Sequence, residues 1–140
     1  MAKTFKLEVI TPERKFFEGE VEMVIVHTVE GEEGFEARHT PACMMLDIGE
    51  LRIHEGNLKI KHAVTTDGFV DVTDQGMIVF VSEAMWPDEI DTSSFAARKK
   101  ELKEKLSHPK DYDEALIEQF SNELRLITVQ EKVVGRTTKK

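Results

Sequence analysis

The sequence predicts an α+β protein, in which an N-terminal antiparallel β sandwich or barrel is followed by a C-terminal antiparallel two-helix hairpin. Residues 1–90 contain short runs of alternating apolar and polar side chains, separated by turn residues at intervals of about eight to twelve. From Asp91 onward the chain is rich in Ala, Glu, Lys, Arg and Leu, and it has no glycine before Gly135. Trp86-Pro87 separates the two parts, since proline disfavours helix at the residue before it.

The length of 140 residues fits one compact domain, or a small domain with an appendage. The chain has 40% apolar and 33% charged residues, which is typical of a folded, soluble protein. Its longest apolar runs, such as Met77–Val81, are far shorter than the ~20 residues that a bilayer span needs. The N-terminus also lacks the apolar stretch of a signal peptide. We therefore expect neither a multidomain enzyme nor a membrane-spanning protein.

Each alternating run in the first part predicts a strand with one buried face. The apolar positions of these runs are Phe5, Leu7 and Val9; Val21, Met23 and Ile25; Leu51 and Ile53; and Leu58 and Ile60. Residues 77–81 are apolar throughout, which predicts a central strand covered on both faces. Gly31 and Gly34 predict an acidic loop around them.

Composition predicts a β domain over residues 1–87, a linker over 88–91, a helical hairpin over 92–136 and a disordered tail over 137–140. The candidate hinge residues are Pro87, Ile90 and Asp91.

The first predicted helix is capped by Asp91, Thr92 or Ser93 and ends before His108-Pro109. The second runs roughly from Tyr112 to Val133, with Asp111 as its cap and Glu114 completing a capping box. Apolar stripes on the two helices predict that they pack together. The stripes consist of Phe95, Leu102 and Leu106 on the first helix, and Leu116, Phe120, Leu124 and Ile127 on the second.

Charge divides the chain as well. Residues 1–90 carry 18 acids against 8 bases, a net charge of -10, whereas residues 91–140 carry 9 acids against 11 bases, a net charge of +2. The acidic part repels phosphate backbones, and the basic excess is too small for a nucleic-acid site. Cys43 has no partner for an intramolecular disulfide, which favours a reducing, cytoplasmic location.

The sequence predicts no catalytic, metal or cofactor site. Its histidines lack the close pairing of zinc ligands, and the acidic loop does not have EF-hand spacing. His39 and Cys43 are four residues apart, but Pro41 lies between them, so we expect Cys43 to pack in the core with Met44, Met45 and Leu46. The chain also lacks a phosphate-binding glycine loop and a serine with a histidine at diagnostic spacing.

Several segments, taken in order, resemble the epsilon subunit family of rotary ATP synthases over nearly the whole chain. They are Thr11-Pro12-Glu13, Phe17–Val21, Glu30-Gly31-Glu32 with Gly34, His39 with Pro41, Gly49 with Leu51-Arg52-Ile53, Asp67–Val72, and Ile90-Asp91. The resemblance implies an N-terminal β sandwich of about ten strands and a C-terminal helical hairpin. This fold agrees with the one predicted from the residues alone.

The resemblance also implies a function. Such a protein is a non-catalytic part of the central stalk, peripheral to the cytoplasmic face of a bacterial membrane. Its sandwich binds the gamma subunit and rests on the ring of membrane c subunits, so that ion-driven rotation is coupled to ATP synthesis. The ring-facing loop would comprise Gly31, Glu32, Gly34, His39 and Pro41. Arg38, which replaces the family's usual glycine, and Glu33 change the chemistry of this loop.

The C-terminal hairpin departs from its relatives at a nucleotide motif. Many bacterial members bind ATP through an Ile-Asp-x-x-Arg-Ala sequence, of which only Ile90-Asp91 is present; Ser94 and Phe95 occupy the last two positions. With Arg125 as the only arginine in the middle of the second helix, we expect weak or absent ATP binding.

The resemblance further implies that the hairpin brakes ATP hydrolysis by reaching the catalytic beta subunits. The basic residues that would contact them are Arg98, Lys99, Lys100, Lys103 and Lys105. A merely solvated helix face explains these residues equally well. The alternatives for the whole chain are a free-standing binding domain with a helical oligomerisation arm and, less favoured, an enzyme.

Overall fold

The computed structural model describes residues 3–138 and divides the chain into two compact units, one ending at Trp86 and the other beginning at Pro87. The first unit contains ten strands within this described range. They are β1 (Phe5–Ile10), β2 (Lys15–Val21), β3 (Met23–Thr28), β4 (Gly31–Glu36), β5 (Ala42–Leu46), β6 (Gly49–Gly56), β7 (Lys59–Thr65), β8 (Gly68–Thr73), β9 (Gly76–Val81) and β10 (Ala84–Met85).

The strands hydrogen-bond in the order β10-β7-β6-β3-β5-β8-β9-β1-β2, and β4 lies off this path, paired with β3. Neighbouring strands are antiparallel, except that β1 and β9 run parallel. A ladder of this length folds over on itself, and the alternating side chains of its inner face form one apolar core. The predicted sandwich is confirmed.

Three details differ from the sequence-based prediction. The acidic segment around Gly31 and Gly34 is the strand β4 rather than a loop, because its residues pair with β3 in register from Met23↔Glu36 to Thr28↔Gly31. The glycines lie within this pairing and do not end it. Lys15–Val21 also forms a strand, although its glycine, Gly19, indicates a turn.

The third difference concerns β9. It is paired on both edges, as a central strand should be, but its side chains alternate between buried and half-buried. Met77, Val79 and Val81 enter the core, whereas Ile78 and Phe80 lie on the opposite face. The prediction that both faces are covered is therefore wrong for this chain by itself.

The second unit contains the helices α1 (Phe95–Leu106) and α2 (Glu114–Thr138). Helix α2 begins after Asp113, whose Oδ1 accepts a hydrogen bond from the Leu116 N–H at 2.8 Å. Asp113 is thus the cap, and the prediction of Asp111 is wrong because Asp111 lies in a 3-10 turn, Pro109–Asp111. The residue before α1 is Ser94, and its side chain makes no capping hydrogen bond.

Helix α2 continues through Thr138, past the predicted start of the tail at residue 137; residues 139–140 of that predicted tail lie outside the described range. Leu102, Phe120 and Ile127 form the buried centre of the hairpin. Phe95, Leu106, Tyr112 and Leu124 pack around it. Leu116, which was assigned to the same stripe, is 39% exposed. No helix within residues 3–138 has the length and apolar character needed to cross a bilayer.

Candidate functional site

One end of the sandwich is acidic. Strand directions bring five turns together there, namely those that follow β1, β3, β5, β7 and β9. Each turn contributes one acidic residue: Glu13, Glu30, Asp47, Asp67 and Glu83. Glu83 and Asp67 belong to turns that hydrogen-bond to each other, through Thr66 N to Glu83 O and Ser82 N to Asp67 O. The turn after β1 also contains Arg14, whose Nη2 donates to the Ala84 carbonyl oxygen at 3.3 Å. With five acids and this one base in the five turns, the end carries a net negative charge.

The residues predicted to face a membrane ring do not all lie at this end. Gly31 and Glu32 begin β4 at the acidic end, and Glu32 accepts a hydrogen bond from Arg52 Nη2 at 2.8 Å. Gly34 lies in the middle of β4. His39 and Pro41 follow the far end of the strand, and six residues of β strand span about 17 Å. The strand thus divides the predicted loop into two separate regions.

The loop at the far end is built around a residue with left-handed backbone. Arg38 has φ 66°, a conformation that favours glycine, which explains why glycine is usual at this position in the family that the sequence resembles. His39 packs on Phe35, with ring centroids 4.5 Å apart, and its Nδ1 lies 2.7 Å from the Thr40 carbonyl oxygen. The histidine is held by local packing.

An apolar row crosses the outer face of the sandwich over four strands. Strand register aligns Met45 with Phe69, Phe69 with Phe80, and Phe80 with Ile10. The rings of Phe69 and Phe80 stack at 4.9 Å between centroids. Met45 is 68% exposed and Phe69 44% exposed, so this apolar row remains accessible. Single exposed apolar residues are ordinary, whereas a continuous set indicates a contact surface.

Cys43 lies on the same face as the apolar row. It is exposed, and it pairs in register with Asp71. The predicted packing of Cys43 and Met45 in the core is wrong, because alternation along β5 buries Leu46 and partly buries Met44 instead. Within residues 3–138, no group of three or more His, Cys, Asp or Glu side chains is placed to hold a metal ion.

The chain's single tryptophan anchors the end of the sandwich domain. Trp86 stacks on Phe16 with ring centroids 4.2 Å apart and meets Phe17 edge-on at 6.5 Å. The Lys61 ammonium lies 5.7 Å from the Trp86 ring centroid, a cation–π contact. Sequence reasoning missed this cluster, although a lone tryptophan beside the domain boundary was available as a signal. This cluster holds Trp86, the last residue of the first unit, in place.

The three predicted hinge residues occupy a short ordered segment. Pro87 begins a 3-10 turn, Pro87–Glu89, which packs against α2, and the Ile90 N–H donates to the Pro87 carbonyl oxygen at 3.2 Å. Asp91 Oδ1 accepts a hydrogen bond from the Ser93 N–H at 3.0 Å. This backbone hydrogen bond, with a side-chain one from Ser93, lowers the pKa of Asp91.

Three of the five basic residues on α1 are engaged by carboxylates inside the hairpin. Arg98 Nε and Nη2 donate to the two oxygens of Glu123 on α2 at 2.5 and 2.7 Å. Lys99 Nζ lies 2.8 Å from an oxygen of Glu131, also on α2. The third, Lys105, lies 3.2 Å from Glu101 of its own helix. Lys100 and Lys103 are exposed.

These contacts shift the titration of the groups involved. The hydrogen bonds from Arg98 lower the pKa of Glu123, and those from Lys105 and Arg98 lower the pKa of Glu101. The hydrogen bonds to Glu123 likewise raise the pKa of Arg98. The carboxylates therefore favour their charged forms in the closed hairpin.

Two residues, Ser94 and Phe95, occupy the Arg-Ala positions of the family's nucleotide motif and have other roles in this chain. Ser94 precedes α1, and Phe95 packs against the apolar centre of the hairpin. Arg125 is exposed, and its Nη1 donates to Asn122 Oδ1 at 3.4 Å.

Comparisons with known proteins agree on one family. The model described as "ATP synthase, Delta/Epsilon chain, beta-sandwich domain" matches residues 4–87. The ATP synthase epsilon chain of Caldicellulosiruptor saccharolyticus is 38% identical over 129 residues, covering 88% of this chain and 93% of the relative. That of Alkaliphilus metalliredigens is 38% identical over 106 residues, covering 76% and 78%. A chain in the cryo-EM structure of the Euglena gracilis mitochondrial ATP synthase (OSCP/F1/c-ring, rotational state 1) superposes with a TM-score of 0.82 at 26% identity, covering 94% of this chain and 81% of that chain.

Proposed function

The chain belongs to the family of ATP synthase delta and epsilon chains, as an epsilon subunit of the central stalk, and we propose that it couples rotation of a membrane ring to the catalytic head without performing chemistry itself. In this proposal the sandwich binds the gamma subunit and the ring of c subunits, and the hairpin brakes ATP hydrolysis. The complex would hold the chain at the cytoplasmic face of a bacterial membrane. The observation that carries the proposal is a sandwich with one accessible apolar row and one acidic end.

The apolar row suits the gamma subunit. Its four side chains lie on strands that are paired on both edges, so the surface is rigid and its aromatic rings are already ordered. Rigid aromatic residues at the centre of an interface give much of its binding free energy. A specific interface buries about 1,200–2,000 Å² in total, so a partner of this kind would cover the apolar row and the charged strands beside it.

The acidic end suits the ring. Glu32 and Gly31 lie there beside the five acidic turns, whereas His39 and Pro41 lie beyond the other end of β4. A surface with a net charge favours a partner of opposite charge and steers its approach. We therefore place the ring contact at Gly31 and Glu32, and we assign His39 and Pro41 to a neighbouring contact.

A binding experiment tests the gamma assignment. The wild-type chain should be a monomer that forms a stable one-to-one complex with gamma in gel filtration at micromolar concentrations. Phe69→Glu combined with Met45→Glu should abolish co-elution, since both side chains stay exposed in the free chain and the charges would be buried in the complex. Leu58→Glu is the matched control, because Leu58 is 99% exposed at the β6–β7 turn, outside the apolar row. Equal binding by the double variant and the control would contradict this assignment.

Dimensions support the braking role of the hairpin. At about 1.5 Å per residue, α1 with 12 residues and α2 with 25 residues would reach ~55 Å if they lay end to end. A chain ending at Glu89 should still bind gamma and should raise ATP hydrolysis by the isolated catalytic head. Unchanged hydrolysis at both low and high salt would exclude a brake.

Weak or absent ATP binding is also part of the proposal. Arg98 and Lys99, which are the nearest substitutes for the missing arginine, already bind Glu123 and Glu131. A phosphate would have to displace carboxylates of the chain itself. Isothermal titration calorimetry should give a dissociation constant weaker than about 100 μM, and tighter binding would overturn this part.

A further inference from the structure

We propose that Glu123 and Glu131 form a latch that keeps the hairpin closed by occupying the cations that the brake would use. The latch holds Arg98 and Lys99 of α1 against α2, so the hairpin must open before these two residues can meet an acidic partner surface. This inference rests on the proposed braking function, because it names the residues that regulate it.

The geometry is that of a specific contact. Arg98 donates through Nε and Nη2 to both oxygens of Glu123, which is the two-point arrangement that matches guanidinium to carboxylate. Its remaining nitrogen, Nη1, lies 3.0 Å from Glu101. The side chains of Arg98 and Glu123 are about one-third exposed, at 33% and 34%, so the pair is only partly screened by solvent. A cation held in this way by two carboxylates is unavailable to a third.

A few charged contacts matter for closure of the hairpin because its apolar core is small. Leu102 is the one fully buried apolar side chain of α1, and Ser94 leaves the start of that helix without a side-chain cap. An isolated pair of helices this short is marginally stable. Removing a charge-assisted hydrogen bond should therefore shift the closed–open equilibrium measurably.

The latch also explains how the closed form can persist without a nucleotide. The second helix supplies two anionic groups at the positions where they meet the basic face of α1. These carboxylates neutralise the same kind of cation that would otherwise bind phosphate. An acidic partner opens the hairpin by competing for Arg98 and Lys99, so the threshold for engaging the brake depends on how strongly α2 holds them.

Hydrogen exchange in the full-length chain tests the latch independently of the synthase. In Glu123→Gln, the α1 amides should exchange roughly three- to tenfold faster than in wild type, while the sandwich amides stay unchanged. Glu118→Gln is the matched control, since it removes the same charge from an exposed position of the same helix. The charge swap Arg98→Glu with Glu123→Arg should exchange more slowly than Arg98→Glu alone, although the new carboxylate beside Glu101 keeps exchange faster than in wild type.

Two outcomes overturn the latch: α1 exchange in Glu123→Gln that equals wild type, or acceleration of the same size in Glu118→Gln. A separate measurement addresses the brake. With gamma and the catalytic head, Glu123→Gln should inhibit ATP hydrolysis at lower concentrations than wild type. Faster exchange with unchanged inhibition would support the latch and contradict the braking function, so the two failures are distinguishable.

Discussion

Different forces stabilise the sandwich and the hairpin. The sandwich core contains seventeen buried apolar residues among the described ones, whereas the buried centre of the hairpin contains three. Burial of apolar surface contributes roughly 25 cal/mol per Å² and does not depend on charge. The hairpin supplements its small core with ion pairs between helices, such as Arg98–Glu123. The stability of the sandwich thus depends mainly on apolar burial, whereas closure of the hairpin also depends on charge.

Breaking the sandwich should have the largest effect. A Cβ on Gly68 would lie 1.9 Å from the Phe80 carbonyl oxygen and 2.7 Å from Val81 Cα. Because backbone atoms of a paired strand cannot move aside, Gly68→Ala should lower the free energy of unfolding by at least ~3 kcal/mol. Urea denaturation followed by Trp86 fluorescence measures this. Gly34→Ala, whose Cβ has its nearest neighbour at 3.9 Å, is the control, and similar losses in both variants would contradict the steric explanation.

The core of the hairpin should be the next most sensitive feature. Leu102 is fully buried, and Leu102→Ala should cost the hairpin ~3 kcal/mol through lost burial and a cavity. Since the sandwich has its own core, helical circular dichroism should fall while the Trp86 transition stays in place. Leu116→Ala, at a 39% exposed position, should leave both signals nearly unchanged. Simultaneous loss of both transitions in Leu102→Ala would show that the two units unfold together.

Sequence patterns predicted the fold more fully than the surfaces. Alternation identified the inner faces of β1 and β6, and spacing on the hairpin identified Leu102, Phe120 and Ile127, because burial imposes these periods directly. On β3 the prediction was wrong, since Val24 and Val26 are buried rather than Met23 and Ile25. The β4 strand was missed because its two glycines and three acids oppose local strand propensity, and only pairing with β3 explains it.

The apolar row and the ion pairs of the hairpin were not predicted from the sequence, because they depend on strand register and on contacts between residues far apart in the chain. The apolar row requires knowing that Met45, Phe69, Phe80 and Ile10 lie opposite one another across four strands, which no local pattern specifies. The pairing of Arg98 with Glu123 joins residues 25 positions apart and depends on the rotation of two helices. Ile78 and Phe80 belong to the continuous apolar run of residues 77–81, in which no alternation distinguishes the inner face of β9 from its outer face.

Lowering the pH should destabilise the hairpin before the sandwich. The pKa values of Glu123 and Glu101 are lowered in the closed hairpin by Arg98 and Lys105, so their contribution to stability is present above the ordinary value of 4.5 and is lost as the pH falls through the lowered values. Helical circular dichroism should therefore decline below about pH 4.5, before the Trp86 signal of the sandwich changes. Glu123→Gln should flatten this decline. Coincident transitions of both signals would contradict the difference between the regions.

A turn in the sandwich offers a smaller, stabilising change. Asn57 and Leu58 at the β6–β7 turn have φ values of 52° and 62°, and Leu58 is 99% exposed, so its side chain offsets none of the left-handed strain. Hairpin turns of this kind favour glycine at the second position. Leu58→Gly should raise the free energy of unfolding of the sandwich by about 0.5–1 kcal/mol in urea denaturation. Leu58→Ala, which keeps the strain and removes only the exposed side chain, should have no effect.

Replacing a glycine of the hairpin by alanine should have the smallest effect. Gly135 lies within the last turn of α2, where an added Cβ meets nothing within 4 Å. Alanine is favoured over glycine by up to ~1 kcal/mol in a helix interior, and the nearby helix end reduces this gain, so Gly135→Ala should stabilise α2 by about 0.5 kcal/mol. The helical transition in thermal denaturation should rise slightly while the Trp86 transition does not move. A fall instead would mean that α2 needs the flexibility of Gly135 to close, which would move the control of the hairpin from its ion pairs to its C-terminal end.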